Sequence, residues 1–361
     1  MSGPIRRHHI LATFVIVCFT TTASAHEPSA GDCALCQDII PEVNSRWYAG
    51  AYAQWLSRDY PDSFLLARTV DRTATQIPGG VITLNDVSDF DPQAGLRVWL
   101  EYRLSDDIAI ELSYFGLQEW NQSATIFVQD PPFANSPFLG NTIPFANKSF
   151  DTTMTVRYSS EIHNAELNLK RNCVFGNWNA SALTGFRYFH LRERIDITGV
   201  ETFTTTIEQT RTVTNNDLYG AQIGGELSRS WLDDRVGLAM NGKVGIFANN
   251  AEQNTVNGSR SFSGGSGTTS LDAGRSRTDF ASLYEANVAA NYRLTSHVSI
   301  RGGYQVLFIQ NLALAPDQLA LTGTSIRDFP GTAYPPGTGA RIRTDGDLFL
   351  HGPFVGLDFS W

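Results

Sequence analysis

The chain has 361 residues, of which 42% are hydrophobic and only 17% charged, and its formal charge is −9 at pH 7. This acidic balance argues against nucleic acid as a partner, and the 31 Gly and 22 Phe, together with abundant Thr and Asn, favour strands and turns. It contains no run of about eighteen apolar residues, so we expect no membrane-spanning helix.

The first 25 residues have the pattern of a cleaved signal peptide. Arg6 and Arg7 precede an apolar run at residues 10–20, and Ala23-Ser24-Ala25 supplies the small residues of a cleavage site. The apolar run is too short to cross a bilayer as a helix. We therefore expect residues 1–25 to be removed during export, which takes the formal charge from −9 to −11 because the segment holds two Arg and no acid.

Residues 26–46 are expected to form a periplasmic tail that carries the CxxC pattern Cys33-Ala-Leu-Cys36. Such a pattern suits redox chemistry, metal binding or haem attachment. Haem attachment needs a His in the next position, where Gln37 stands, and a zinc site needs a second ligand pair that the sequence lacks. We expect Cys33 and Cys36 to form a local disulfide or to remain thiols, with no metal or cofactor bound. Cys173, beside a predicted turn, is expected to remain a thiol.

From residue 47 onward, apolar and polar residues alternate with the period of two that is typical of strands. A clear hairpin turns at residues 105–107, and a change of phase near His163-Asn164 predicts a β-bulge. The ten predicted strands are 47–56, 96–104, 108–115, 150–170, 179–191, 216–229, 235–248, 280–293, 298–309 and 347–361.

The last predicted strand has one apolar face and ends in an aromatic residue. Val355, Leu357, Phe359 and Trp361 occupy alternate positions on that face. Bacterial outer-membrane barrels commonly close with such a strand, since an aromatic sits well at the membrane interface. We interpret these four residues as a C-terminal assembly signal. The last strand of a secreted β-sandwich is the alternative.

The connections between strands fall into two groups that alternate along the chain. The short ones are 105–107, 171–177, 230–234 and 295–297, and the long ones are 58–94, 118–149, 192–215, 249–279 and 310–346. Short periplasmic turns that alternate with long extracellular loops are typical of a membrane barrel. The sequence therefore predicts a single transmembrane antiparallel up-and-down β-barrel over residues 47–361, with about ten strands and both termini in the periplasm. FLLARTV and GGVITL within 58–94 leave twelve strands open.

The polar face of these strands carries charges of both signs. The candidate pore-lining residues are Arg97, Glu101, Arg103, Glu111, Arg157, Arg187, Glu226, Lys243, Glu285 and Arg301. A solvated outer sheet face is the alternative interpretation. Two aromatic girdles are also expected, with Tyr102 and Tyr292 near the turns and Tyr114, Tyr284 and Phe308 near the loops.

Several short segments of this pattern are shared with a known family. They are Trp47-Tyr48, GLRVWLEY at 95–102, IELSYF at 110–115, HNAELNL at 163–169, GFRY at 185–188 and NDLYGAQIGG at 216–225. In these segments the chain resembles bacterial outer-membrane β-barrel porin-like proteins, related in plan to the Legionella-type major outer-membrane protein. The resemblance implies a barrel in the outer membrane and supplies no catalytic residues. Trp361 departs from the Phe that usually ends such barrels.

Three functions fit these patterns. A barrel of ten to twelve strands has a narrow bore, which predicts a porin-like channel for ions or small solutes. The alternative is a non-conducting structural or surface-binding barrel that displays long loops. An outer-membrane protease would need acids and His at the rim, where His190, Glu193, Asp130 and Asp279 lie without forming a motif, so we expect no enzyme.

Expected partners are outer-membrane lipid, the barrel assembly machinery and ions or small solutes. Whether the barrel forms a homo-oligomer stays open.

Overall fold

The computed structural model is a closed ring of antiparallel strands. Its ten members are β1 (Trp47–Asp59), β4 (Gln93–Arg103), β5 (Ile108–Val128), β7 (Thr152–Phe175), β8 (Trp178–Glu201), β9 (Thr206–Trp231), β10 (Val236–Arg260), β11 (Thr268–Arg293), β12 (Val298–Leu312) and β13 (Gly346–Ser360). Around the ring the order is β1-β13-β12-β11-β10-β9-β8-β7-β5-β4, and β4 pairs with β1. This confirms the predicted fold class, an all-β antiparallel barrel of about ten strands.

The structure describes only part of the chain: residues 45–59, 65–70, 76–88, 91–128, 133–135, 152–201, 206–260, 268–318 and 342–361. The predicted signal peptide, Cys33, Cys36 and Asp130 lie outside these ranges. Within them, no helix is long and apolar enough to cross a membrane.

The two segments that left twelve strands open, FLLARTV and GGVITL, pair as a hairpin, as their sequences suggested, but the hairpin does not join the ring. β2 (Leu65–Val70) and β3 (Gln76–Thr83) pair with each other, and β2 also pairs with β6 (Phe133–Asn135), which gives a separate three-stranded sheet. A short helix, α1 (Asn85–Ser88), follows β3. The twelve-strand alternative is therefore wrong for the ring, because its two extra strands pair elsewhere.

Strand β13 closes the ring against β1. The backbone N–H of Trp47 donates to the carbonyl of Trp361 at 3.1 Å, and the N–H of Trp361 donates to the carbonyl of Trp47 at 3.0 Å. Farther along the same seam, a Cβ placed on Gly352 would lie 1.9 Å from the carbonyl oxygen of Trp55. Glycine therefore lets β13 approach β1 closely, and a larger residue would force the two strands apart.

Deletion of Trp361 is expected to impair assembly. The deletion removes both backbone hydrogen bonds to Trp47 and an aromatic ring whose surface is 56% exposed on the outer face of the barrel. The yield of folded barrel, measured as the protein that keeps its compact gel mobility without heating, should fall severalfold. Trp361→Phe keeps the backbone and an aromatic ring and serves as the control. A yield equal to that of the wild type after deletion would contradict an assembly role for this residue.

The strands β7 to β11 are much longer than a bilayer requires. They have 24 to 26 residues, whereas about 9–11 tilted residues cross the membrane. Most of the predicted loops 192–215 and 249–279 is therefore strand, and the prediction of long loops there is wrong. At the other end, the short turns are confirmed: the β7–β8 hairpin turns at residues 176–177, where Gly176 has a φ of 60°.

The outer face of the barrel carries an apolar belt near these short turns. Exposed side chains of this belt include Leu100, Leu112, Leu167, Phe186, Ile223, Ile246, Val288, Ile300 and Leu357. Aromatic side chains lie at both edges of the belt, as predicted. At the edge near the turns, Tyr102 packs on Trp47 with ring centroids 4.6 Å apart, and at the other edge Tyr284 stacks on Phe308 with centroids 6.3 Å apart. Apolar residues on the outside of a barrel are typical of contact with lipid.

Beyond this belt the pattern inverts along the same strands. On β7, Leu167 faces outward in the belt, whereas Met154 and Tyr158 near the other end are buried inside the barrel and Arg157 faces outward. The strand pairs with β8 along its whole length without a shift in register. The pairing of β7 with β5 does shift, between Leu117 and Trp120, so the irregularity near the level of His163 lies on β5, and the bulge predicted within β7 is wrong. Apolar residues change faces here because the outside of the barrel changes from lipid to water while the strand remains regular.

Candidate functional site in the barrel lumen

A layer of charged side chains crosses the lumen at the level of the belt. Arg97 on β4 donates to Glu285 on β11 at 2.9 Å, and Arg187 on β8 donates to the same carboxylate at 2.7 Å. In the ring, β4 and β11 are separated by β1, β13 and β12. Such contacts join strands that are not neighbours, so the side chains must span the interior of the barrel.

Two further lysines complete this layer. Lys243 on β10 contacts Glu166 on β7 at 2.7 Å. Lys170 on β7 contacts Glu101 at 2.8 Å and Glu111 at 2.7 Å. The charged layer, defined as Arg97, Glu101, Glu111, Glu166, Lys170, Arg187, Lys243 and Glu285, thus holds four cations and four carboxylates. Because the signs balance, the buried charges compensate one another.

Amide side chains tighten the charged layer. Gln222 donates to Glu166 at 2.8 Å, and Asn168 donates to Glu111 at 3.0 Å. The Nε of Arg187 donates to Asn164 at 2.6 Å, and Arg187 has no exposed surface. The centre of the layer, at Arg187 and Glu166, is therefore packed and shielded from solvent, unlike charges that line an aqueous pore.

Apolar side chains fill the lumen on the side away from the short turns. Phe115, Phe189, Phe247 and Leu283 point inward there and have no more than 3% of their surface exposed. They form one cluster with Val87 of α1. The helix α1, in the long connection between β1 and β4, thus enters the barrel and joins its core.

Residues 313–318, in the connection between β12 and β13, also lie inside this end of the barrel, away from the short turns, which we call the wide end. Asn216 on β9 accepts from the N–H of Ala313 at 2.7 Å and donates to the carbonyl of the same residue at 2.9 Å. The carboxylate of Glu193 accepts from the N–H of Ala315 at 2.8 Å and also pairs with Arg58. We call residues 313–318 the inner segment. Side chains of the barrel wall hold it by specific hydrogen bonds.

Residues 342–345, which lead into β13, are bonded to the inner segment. Gln318 donates to the carbonyl of Arg343 at 2.8 Å and accepts from its N–H at 3.1 Å. The Arg343 side chain in turn bonds to Asp345, which holds the pKa of that carboxyl below its ordinary value. The return to β13 is thereby tied to the inner segment.

The half of the lumen nearer the short turns contains a small polar cavity of about 70 Å³. Its lining includes Arg97, Trp99, Glu226, Arg301 and Gln305. Several buried polar atoms there, among them the Nε atoms of Arg97 and Arg301, have no hydrogen-bond partner among the described side chains. A cavity of this size and polarity suits a few water molecules.

The structure places nine of the ten candidate pore-lining residues on the inner face. Six belong to the charged layer: Arg97, Glu101, Glu111, Arg187, Lys243 and Glu285. Arg103 lies nearer the turns, over the ring of Tyr48 at 4.7 Å, and Arg301 lies 3.9 Å from Asp358. Glu226 lines the polar cavity. The placement of Arg157 in the pore is wrong, since it faces outward in the region where the pattern inverts.

Sequence reasoning missed Lys170 and Arg58 as members of the interior. Lys170 was the last residue of a predicted strand, but β7 continues to Phe175 and keeps Lys170 on its inner face. Arg58 was assigned to a loop, but β1 continues to Asp59. Their alternation with the preceding inward residues, such as Gln54 and Leu56 before Arg58, is the signal that could have found them.

The three described residues that were considered for a protease, His190, Glu193 and Asp279, do not come together in one site. His190 and Glu193 lie on opposite faces of β8, because Glu193 is buried inside while His190 faces outward and contacts Asp217 at 2.8 Å. Asp279 accepts from the hydroxyl of Thr344 at 2.6 Å. Among the residues that the structure describes, no group of three or more His, Cys, Asp or Glu is arranged to hold a metal ion.

The closed ring, the apolar outer belt and the charged layer inside it define the class of this protein, an outer-membrane β-barrel. The family model described as "Putative beta barrel porin-7 (BBP7)" matches residues 55–361, and the chain belongs to that family. The resemblance to porin-like barrels noted in the sequence is thereby confirmed.

Solved structures of other barrels are similar to this chain at low identity. The outer membrane protease OmpT from Escherichia coli is 9% identical, with a TM-score of 0.42, and the match covers 88% of this chain and 97% of that one. An anion-selective porin from Comamonas acidovorans is 8% identical, with a TM-score of 0.17 and coverage of 87% and 100%. A FadL homologue from Pseudomonas aeruginosa is 8% identical, with a TM-score of 0.23 and coverage of 88% and 90%. No curated protein matches the chain.

Proposed function

We propose that this protein is a structural barrel of the outer membrane that displays its long connections at the cell surface and whose lumen is closed at rest. We also propose that it is not an enzyme. One observation carries the proposal: the charged layer joins strands on opposite sides of the ring and is almost fully buried, with Arg187, Glu166 and Glu285 having side-chain exposures of 0%, 0% and 1%. The apolar cluster and the inner segment then fill the lumen above it.

The strand extensions beyond the belt support a role at the cell surface. On β10 the outward residues change from Ile246 and Ala248 to Asn250, Glu252 and Asn254, so this part of the barrel faces water. In the proposed orientation the extensions stand outside the cell, both termini face the periplasm, and the barrel assembly machinery inserts the exported chain. The extensions would carry the long connections clear of the lipid headgroups, where they can contact other envelope components.

A narrow channel is the second candidate function, and the polar cavity in the turn-side half of the lumen favours it. Arg97 and Arg301 line that cavity, and ions could enter it from the periplasm. To conduct, the barrel must break the pairs of the charged layer and displace the inner segment. Opening would then be a gated event, with charge selectivity set by the lumen residues.

Single-channel recording from folded protein in a planar bilayer tests the two candidates. We expect wild-type protein to give no stable current steps, because buried ion pairs and apolar side chains occupy the lumen. Folding is verified beforehand by heat-modifiable gel mobility, and protein unfolded by heating serves as the negative control. Repeated steps of constant size at modest voltage would overturn the closed barrel in favour of the channel.

If steps are seen, the double variant Arg97→Gln/Arg103→Gln should shift the reversal potential in a salt gradient toward cations. The matched control is Arg229→Gln/Arg343→Gln, which removes the same charge from outside the lumen: Arg229 lies against the rings of Trp178 and Trp231, and Arg343 is exposed at the wide end. Equal reversal potentials for the two variants would show that the current does not pass Arg97 and Arg103.

A further inference from the structure

A patch of arginines lies on the outer face of the barrel, on the same strands as the belt and beyond its edge. We define the arginine patch as Arg157 on β7, Arg192 and Arg194 on β8, and Arg211 on β9, all outward-facing. The register places Arg157 opposite Asp196 on β8, and Asp196 opposite Arg211. Three adjacent strands thus bring the four side chains to one surface.

The patch keeps an excess of positive charge. Asp196 accepts from Arg194 at 2.5 Å and from Arg211 at 2.7 Å, so one carboxylate serves two guanidinium groups. Only the Nε of each arginine is used in these bonds, and each side chain remains about 40% exposed. Because a guanidinium has five N–H donors, donors remain available for a further anion. Arg157 and Arg192 form no ion pair with a described carboxylate.

The strip between the belt and the patch is aromatic and polar. Tyr114 bonds to His163 at 2.8 Å, the rings of His163 and His190 stack at 6.3 Å, and Tyr188 lies beside His190. The acids of this strip are engaged with its histidines, Glu161 with His163 at 2.9 Å and Asp217 with His190 at 2.8 Å. Such rings mark the edge of the bilayer.

The height of the patch matches the headgroup region and the sugars beyond it. Arg192 comes four residues after Tyr188 on β8, which is about 13 Å along the strand at roughly 3.3 Å per residue. With a strand tilt of about 40°, Arg192 lies roughly 10 Å from the aromatic ring of Tyr188 along the membrane normal. A molecule bound here must stand beside the barrel, and its hydrocarbon would lie against the belt.

We propose that the arginine patch binds the anionic headgroup of a glycolipid in the outer leaflet, with phosphate or carboxylate groups on its sugars as the ligands of the guanidinium groups. Paired N–H donors of arginine match the oxygens of both groups. The neighbouring strands set the patch apart: the described outward residues beyond the belt on β10 and β11 include Asn250, Glu252, Asn254, Ser276 and Thr278, with no cation among them. The headgroup should therefore bind on one side of the barrel.

The test uses full-length protein folded in neutral detergent, and it does not depend on the orientation in the membrane. Diphosphorylated lipid A is titrated into the micelles, and binding is measured by native mass spectrometry together with the midpoint of heat-induced unfolding. Wild-type protein should bind the probe and unfold at a higher temperature. The variant Arg192→Gln/Arg194→Gln/Arg211→Gln should bind about tenfold more weakly, since charge-assisted hydrogen bonds are lost.

Two controls separate this role from a structural one. Arg157→Gln/Arg192→Gln leaves both bonds to Asp196 in place and should fold normally, yet it should still weaken binding severalfold. Arg343→Gln removes an exposed arginine at the wide end that pairs with Asp345, and it should bind like the wild type. Equal binding by wild type and both patch variants would overturn the proposal. So would equal binding of an uncharged glycolipid. A stabilising effect of inorganic phosphate alone, equal to that of lipid A, would overturn the assignment to a lipid.

Discussion

Arg187→Ala is expected to lower the free energy of unfolding by about 3 kcal/mol, the lower end of the range for breaking a buried ion pair. Arg187 has no exposed surface, lies 2.7 Å from Glu285 and donates to Asn164 at 2.6 Å. Its removal leaves three cations against four buried carboxylates. The loss stays near the lower end because Glu285 keeps Arg97, and Glu166 keeps Lys243.

Urea unfolding of the barrel in lipid vesicles, followed by tryptophan fluorescence, measures this loss. Arg343→Ala is the control, since that arginine is exposed and its pair with Asp345 should contribute no more than about 1 kcal/mol. Adding Glu285→Gln to Arg187→Ala restores the balance of charge and should recover part of the stability. A loss below about 1 kcal/mol for Arg187→Ala would mean that water screens the charged layer, and it would favour an open lumen.

The half of the barrel that carries the belt was predictable because each strand there has two different environments on its two faces. Lipid outside and charged side chains inside give the alternation of Leu96, Val98 and Leu100 with Arg97 and Glu101, which fixes both strand and face. This alternation, together with the short turns at one end of the strands, then leads to the ring of ten strands. The presence of charges on the inner face was also readable, since such residues cannot face hydrocarbon.

The wide half was not predictable from the same rule, because the apolar face changes sides. The prediction that put Arg157 in the pore implied that Met154, Val156 and Tyr158, on the opposite face of the strand, meet lipid. They pack inside the barrel instead, while Arg157 meets water. Runs such as Thr210 to Asn215 look like loop in composition, yet they form strand because long-range pairing with β8 and β10 supplies their hydrogen bonds.

The ion-pair partners within the charged layer could not be predicted from the sequence for another reason. The pairing of Arg97 with Glu285 joins residues 188 positions apart on strands that do not touch in the ring. It depends on the diameter of the barrel and on the stagger of its strands, which alternation does not specify. The inner segment was equally hidden, since its hold on Asn216 uses backbone groups of Ala313.

Phe189→Ala should lower the free energy of unfolding by about 3–5 kcal/mol, as expected for a large aromatic side chain removed from a packed core. Phe189 is fully buried in the apolar cluster of the lumen. If the wide half of the lumen were filled with water, the ring would already be solvated and its removal would cost little. The size of the loss therefore reports whether the lumen is a core or a channel.

Phe186→Ala is the matched control for this prediction. Phe186 lies on the same strand, three residues earlier, but it faces outward from the belt and is 52% exposed. Lipid replaces the contacts of its ring, so we expect a loss of no more than about 1 kcal/mol, close to that of other surface substitutions. Urea unfolding in the same vesicles compares the two variants. Since both remove the same ring from β8, a difference between them isolates the packing inside the barrel, and equal losses would contradict a closed, packed lumen.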